Sequence, residues 1–336
     1  MSPRSTARPF LSVITPLYNC LPLTQAMVAS LRKTIPFWIS YEVILVDDGS
    51  TDGTREWLKG LGAPFRVVLN EQNLGFGGST NRGAEIARGR VLALLNNDLV
   101  LQPGWLSPML WGLAVLGWRA GLVGNVQRNA STLQLDHAGI EVDAKCKPQH
   151  DREPPKLWER IFLPVKPVFA VTGACLIVRT STWRRLGGFD EAFRNGCEDV
   201  DLCLKAREAG LINAVALHSV VLHHVSSSPG RKAHDESNSY RLTLRWRDRL
   251  AEEAAREWTW EHCWRDRLAE EAARGWTWEH FTPFLPEASE TPDKMEAFKT
   301  ALYLLRLRRE PPAEAIKAKQ SALDLELARW QKMFSS

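Results

Sequence analysis

The chain has 336 residues, a formal net charge of +4, 24% charged residues and 44% apolar residues. That length can bury a sizeable core and hold one large domain or two. The near balance of charge gives no case for a nucleic-acid partner. The six cysteines, Cys20, Cys146, Cys175, Cys197, Cys203 and Cys263, form no C-x-x-C pair, which argues against a zinc site or a disulfide framework and for reduced cytosolic thiols.

The first residues, MSPRSTARPF, have no apolar run behind their basic residues and do not read as a signal peptide. Leu11 to Thr15 predicts a first strand, ending at Pro16 and leading through Tyr18 and Asn19 into a helix near Pro22 to Lys33. Tyr41 to Val46 predicts a second strand that ends on Asp47-Asp48-Gly49-Ser50. Thr51 or Asp52 can cap the helix that carries Trp57 and Leu58. Phe65 to Leu69 is a third strand. A glycine-rich turn, Asn73 to Gly78, then precedes a helix of about Ser79 to Arg88.

The organising stretch comes next. Val91 to Leu95 is a short apolar run, as in a strand buried on both faces, and Asn96, Asn97 and Asp98 follow at once. Open α/β sheets bind ligands at the carboxyl ends of their strands. An Asp delivered there suits a divalent cation that keeps waters and phosphate oxygens as its other ligands; it also suits a plain Asx turn. Alternating strands and helices at this spacing predict an α/β fold with a mostly parallel, doubly wound sheet. The acids at Asp47/Asp48 and at Asp98 then open on one edge. The Gly-rich dinucleotide fingerprint is missing, because Pro16-Leu17-Tyr18-Asn19 follows the first strand.

Trp105 to Val126 is the longest greasy stretch. Pro108, Arg119 and four glycines interrupt it, so it predicts a helix and a fifth strand (Gly121 to Val126), not a membrane span. From about Gln127 to Lys166 the pattern dissolves, as in an insertion over the site that serves as lid or acceptor loop. Val168 to Val178 predicts a strand whose small residues Thr172-Gly173-Ala174 let a ligand or backbone come close. After Asn195-Gly196-Cys197, the acids Glu198, Asp199 and Asp201 open a helix to about Ala209. The helix dipole accounts for one or two of them. Leu211 to Val225 reads as one or two strands ending in His223-His224, either of which could join Asp98 on a cation.

Taken together, VITPLYN, VDDGSTDGT, NLGFGGSTNRG, LLNNDLVL, TGACLIVR, LGGFDEAF, EDVDLCLKAREAG and LHHVSSS resemble family 2 glycosyltransferases, in that family's order and spacing, over about Leu11 to Ser228. The nearest subgroup looks like bacterial rhamnosyltransferase-like enzymes of surface polysaccharide assembly. The resemblance implies a GT-A fold, a nucleoside-diphosphate sugar donor carried on UDP or dTDP, a divalent metal (Mn²⁺ or Mg²⁺) and inverting chemistry. The acceptor would be a glycan, a lipid-linked glycan or another hydroxyl. Carried over by motif, Pro16, Tyr18 and Asn19 flank the base, Asp48 with Asp47 meets the nucleobase or ribose, and Asn73 and Arg82 approach ribose and diphosphate. Asn97 and Asp98 close the D-x-D-like motif. Asp98 binds metal with His223 or His224, Asp199 is the general base, and Glu198 holds the acceptor or is the alternative base. The family often has an acid where Asn96 stands, so the metal is expected to bind together with the diphosphate. The rival readings are a nucleotidyltransferase and a catalytically silent nucleotide-sugar-binding scaffold.

This gives a glycosyltransferase domain over 1–230, with a donor half of about 10–126, an insertion of about 127–166 and an acceptor half of about 167–230. A helical region follows over 231–336. There, Trp246–His262 and Trp264–His280 differ only at Glu257 and Gly275, at an offset of 18 residues, five helical turns. In one continuous helix Trp246, Leu250, Ala254 and Trp258 share a stripe with Trp264, Leu268, Ala272 and Trp276. That helix packs on the core, pairs with a second subunit as a homodimer, lies on a membrane surface or forms an acceptor platform. Two more helices are expected, at about Pro292 to Arg309 and Pro312 to Met333. The chain is expected in the cytoplasm, with peripheral contact at the inner membrane face if its acceptor is lipid-linked.

Overall fold

The computed structural model describes residues 8–163, 165–224, 234–273 and 311–335. The first half alternates as expected: β1 (Leu11–Leu17), α1 (Leu21–Thr34), β2 (Tyr41–Asp47), α2 (Thr54–Lys59), β3 (Phe65–Leu69), α3 (Gly75–Ile86) and β4 (Val91–Leu95). After a break at Asn96–Asp98 come β5 (Leu99–Leu101), α4 (Leu106–Leu116) and β6 (Ala120–Asn129). The region expected as an insertion holds β7 (Leu135–His137), β8 (Ile140–Val142), β9 (Pro148–His150), α5 (Leu157–Phe162) and β10 (Lys166–Pro167). Then follow β11 (Cys175–Arg179), α6 (Thr180–Leu186), α7 (Glu198–Glu208), β12 (Ile212–His223), α8 (Asp235–Ala273) and α9 (Ala313–Ser335).

Ten strands build one sheet in the order β10-β12-β6-β11-β4-β1-β2-β3, with β5 added beside β12 and β7 beside β6. β4, β1, β2 and β3 are parallel neighbours, and so are β6 and β12, while β11 runs antiparallel between β4 and β6. The five apolar side chains of β4 are all buried at the centre. Each buried Leu there contributes about 2 kcal/mol of apolar transfer energy. No polar side chain is admitted until Asn96. The carboxyl ends of β1, β2 and β4 therefore deliver Tyr18-Asn19, Asp47-Asp48 and Asn96-Asn97-Asp98 to one edge.

Several boundaries differ from the expectation, each for a local reason. β1 runs on through Pro16 because the Asp48 N–H donates to the Leu17 carbonyl at 2.8 Å. The glycines Gly75 to Gly78 form the first turn of α3 and not a preceding loop. The strand expected over Val168–Val178 is regular only from Cys175, because the Gly173 N–H is spent on the Asp199 carboxylate and not on a ladder. The stretch from Gln127 is not a detached insertion at its start: β6 continues to Asn129 and β7 pairs back on it.

The chain divides into two compact units: Met1–Glu141, His150–Pro155 and Leu163–Leu242 in one, Val142–Gln149, Lys156–Phe162 and Thr243–Ser336 in the other. In the second unit, Leu250, Ala251, Ala254 and Ala255 of α8 are buried, as are Leu323, Leu327 and Trp330 of α9. Arg247 clamps Asp324 through two hydrogen bonds, at 2.5 and 2.6 Å. α8 passes through the first repeat copy and into the second, with non-helical backbone at Trp246 (φ −116°, ψ 20°). The expected stripe is therefore kinked at its first member. The helix expected over Pro292 to Arg309 lies outside the described residues, and α9 matches the last one.

Candidate active site

At the end of β2 both carboxylates are held by the fold. Asp47 is fully buried and accepts from Arg55 Nε at 2.6 Å and from the Gly49 and Ser50 amides. Asp48 caps α3 from outside the helix. Its Oδ1 accepts from Asn70 Nδ2 and from the Leu74 N–H, both at 2.8 Å, and its Oδ2 from the Gly75 N–H at 2.9 Å. Helix N-terminal amides need such an acceptor. Gly75 itself has φ 79°, a conformation that favours glycine. Asn73 Nδ2 donates to the Asp48 carbonyl at 3.1 Å, and Arg82 Nη1 to Asn70 Oδ1 at 3.1 Å. Asn19 crosses to the next loop: its N–H donates to Ser50 Oγ, and its Oδ1 accepts from the Thr51 N–H, both at 2.8 Å. Tyr18, beside it, is 47% exposed and offers an open ring face. Pro16 lies opposite Val46 within the sheet.

One residue of this network carries no motif. Asn70, buried at the end of β3, joins Asp48, Ser79 and Arg82. Its signal in sequence was positional, a lone amide closing an apolar strand on the same edge as Asp48 and Asp98.

At the end of β4 the pattern reverses. Asp98 and His223 have side chains only 11% and 5% exposed, and Asp98 Oδ1 lies 3.2 Å from His223 Nε2. The approach lacks hydrogen-bond alignment, so Asp98 Oδ1 and both His223 ring nitrogens are buried without a hydrogen-bond partner. Such groups cost stability unless something else fills them. Two neighbouring ligands about 2.1 Å from an octahedral ion would lie about 3.0 Å apart, so the spacing fits a shared divalent cation. His224 contributes differently, its backbone N–H donating to the Asp98 carbonyl at 3.0 Å. Asn97 Nδ2 donates to Thr24 Oγ1 at 3.0 Å, which fixes the loop against α1. Among the described residues no three His, Cys, Asp or Glu side chains form a preformed metal cage. A cation here would take its remaining ligands from water and a bound phosphate.

The acid pair opens α7. Cys197, with φ 70°, turns the chain into the helix. Glu198 is buried, and its Oε2 accepts from the Gly196 N–H at 2.6 Å. Asp199 is held at both oxygens: Oδ2 accepts from the Gly173 N–H at 2.7 Å and Oδ1 from the Val200 N–H at 2.8 Å. A Cβ on Gly173 would stand 3.0 Å from the Phe76 ring and 3.5 Å from the Asp199 Cβ, so only glycine passes between them freely. Each Asp199 oxygen keeps a second lone pair for a proton. The Ala174 carbonyl accepts from the Asn96 N–H at 2.8 Å, which ties this segment to the loop that carries Asp98.

The model of glycosyl transferase family 2 matches residues 12–133. An uncharacterized protein, y4gI, of Sinorhizobium fredii is 29% identical over 250 residues, covering 70% of this chain and 26% of that protein. The chain thus spans about a quarter of that relative's length. The N-acetylglucosaminyl-diphospho-decaprenol L-rhamnosyltransferase of Mycobacterium tuberculosis H37Rv is 30% identical over 250 residues, covering 66% of this chain and 78% of that enzyme. Among solved structures, GalNAc-T7 with UDP, GalNAc and Mn²⁺ superposes with a TM-score of 0.59 at 19% identity, over 73% of this chain and 49% of that one, a likeness of fold.

Proposed function

Because the chain belongs to glycosyltransferase family 2, we propose that it moves a sugar, with inversion, from a nucleoside diphosphate to a hydroxyl acceptor. The Asp98–His223 pair, buried and unpartnered at the carboxyl end of β4, carries this reading. A divalent cation held there would neutralise the charge that builds on a leaving diphosphate. Asp98 and His223 would hold it from the protein side.

The other residues divide the work. Tyr18 stacks on the base, with Pro16 and Asn19 shaping the pocket floor. Asp48, with Asp47 behind it, holds the α3 cap beside the ribose. Asn73, Asn97 and Arg82 face ribose and diphosphate. Asp199, immobilised by two backbone amides, takes the proton of the attacking hydroxyl as the carbon–oxygen bond forms. Holding base and nucleophile in one geometry supplies much of the rate. Glu198, beside it, orients the acceptor. By analogy with the mycobacterial relative, the acceptor is a lipid-linked glycan in polysaccharide assembly, met at the cytoplasmic membrane face, and the donor sugar is rhamnose or a similar hexose on dTDP or UDP.

A thermal-shift screen of nucleotides and nucleotide sugars, with and without Mn²⁺, tests this. A ligand that binds only the native state raises its apparent stability by mass action. The expected result is a shift with UDP or dTDP species that needs the metal. No shift with any nucleotide would overturn this reading.

A further inference from the structure

Two histidines that no motif assigns lie by the carboxyl end of β6, the stretch that pairs with the end of β12 leading to His223. His137 ends β7, and its register partner on β6 is Gln127. It is fully buried, and neither ring nitrogen has a hydrogen-bond partner. His150 ends β9 and packs edge to face on His137, with ring centroids 4.8 Å apart at 74°. Its Nδ1 is also buried without a partner. Gln127 Oε1, on the same stretch of β6, is buried and unpartnered too. Buried polar atoms are nearly always satisfied in folded proteins. So many unsatisfied polar atoms in one patch mark it as chemically unlike the oily core.

The chemistry of His150 is more specific. Its ring hydrogen-bonds the Asp136 backbone carbonyl. A carbonyl only accepts, so the nitrogen it meets carries the proton. With Nδ1 the unpartnered atom, that nitrogen is Nε2, and Nδ1 presents a lone pair. Burial holds the ring below the usual histidine range, against the pull of the Asp199 and Asp136 charges, so it is neutral near pH 7. A neutral Nδ1 lone pair near a carboxylate base takes a hydrogen bond from an O–H. His137, braced edge-on, keeps the ring from turning.

We propose that His150 is an acceptor-binding residue, whose Nδ1 receives a hydrogen bond from a hydroxyl of the acceptor sugar beside Asp199, with His137 as the wall that fixes its ring. This rests on the transferase reading. It makes His137 and His150 part of the acceptor site and selects a polyhydroxyl ligand over an apolar one.

Two measurements test it. In the first, a short-chain N-acetylglucosaminyl diphospholipid is the acceptor probe and dTDP-rhamnose the donor. His150→Gln reaches only the Nε2 position, whereas His150→Asn can place an oxygen where Nδ1 stood. The Gln variant should raise the acceptor KM about tenfold, the worth of one hydrogen bond, and leave donor affinity by calorimetry within about twofold. The Asn variant should fall between it and the wild type. An unchanged acceptor KM in the Gln variant, equal losses in both variants, or a loss that lies in donor affinity would each overturn the proposal. Wild-type protein that binds no nucleotide would instead remove the transferase reading beneath it. The second measurement needs no turnover. Long-range ¹H–¹⁵N spectra of ¹⁵N-histidine protein should show His150 as the Nε2–H tautomer, with the Nδ1 resonance moving as the same probe is added. An Nδ1–H tautomer would overturn the assignment.

Discussion

Asp48 and Asp98 occupy equivalent stations, past the carboxyl ends of the two strands that flank β1, yet they are bonded in opposite ways. Asp48 accepts three hydrogen bonds from within the fold, two of them from the first amides of α3. Asp98 Oδ1 accepts none and meets only the His223 ring. The same residue type at the same kind of position is thus spent on the fold in one case and keeps an unbonded oxygen in the other, where it is proposed as a cation ligand. A satisfied buried carboxylate stabilises the fold, whereas an unsatisfied one costs stability and persists where function uses it.

Substitutions on the two sides of that contrast should separate into losses of function and losses of stability. The largest effect is expected at the base. Asp199→Asn should lower transfer by about 10³-fold or more while donor binding survives, since only proton removal is lost. Undiminished turnover would take the role away from Asp199. Next are the proposed cation ligands. Asp98→Asn or His223→Ala should weaken Mn²⁺-dependent nucleotide binding by at least the 10- to 100-fold, roughly, that loss of even an outer-shell partner costs. Both should leave thermal stability unchanged or slightly higher without metal. Calorimetry that shows metal-supported binding at full strength in both variants would break the contrast.

On the scaffold side, Asp47→Ala should destabilise the protein by about 2–3 kcal/mol in urea titrations. The value lies below that for a fully buried pair because Arg55 is 37% exposed. A loss of nucleotide affinity without a loss of stability would reverse the assignment. The smallest effect is a pH slope. His137 is held well below the usual histidine range, first by burial and then by the neighbouring His150 and His223 rings. The unfolded chain therefore binds a proton that the folded one refuses. Stability is fully present above about pH 6.5 and falls as pH drops below it. Melting temperatures of wild type and His137→Leu across that range should show a shallower acid slope in the variant. Parallel curves would count against it.

Much of this was legible in the sequence because strand ends announce themselves. An apolar run that stops on Asp47-Asp48 or on Asn96-Asn97-Asp98 locates the site edge without coordinates, and Gly173 and the Glu198-Asp199 pair stood out for similar local reasons. What was not legible was allegiance. Nothing local says that Asp48 is spent on amides 26 and 27 residues later while Asp98 waits for a ring from β12. The roles of Asn70, His137 and His150 have no sequence motif because each depends on partners brought in by the sheet. The register of β7 on β6 that buries His137 is a tertiary fact, and in sequence that segment looked like loose chain.

One small feature at the start of α7 offers a practical handle. Burial, and then the adjacent Asp199 and Glu198 charges, push the Cys197 thiol up to about 12. In the folded protein it is therefore protonated and a poor nucleophile at neutral pH. Alkylation at Cys197, followed by mass spectrometry, should be slow, and its rate should track how often the amino end of α7 opens. The thiol then acts as a clock on local opening, placed two residues from Asp199 and read without any substitution.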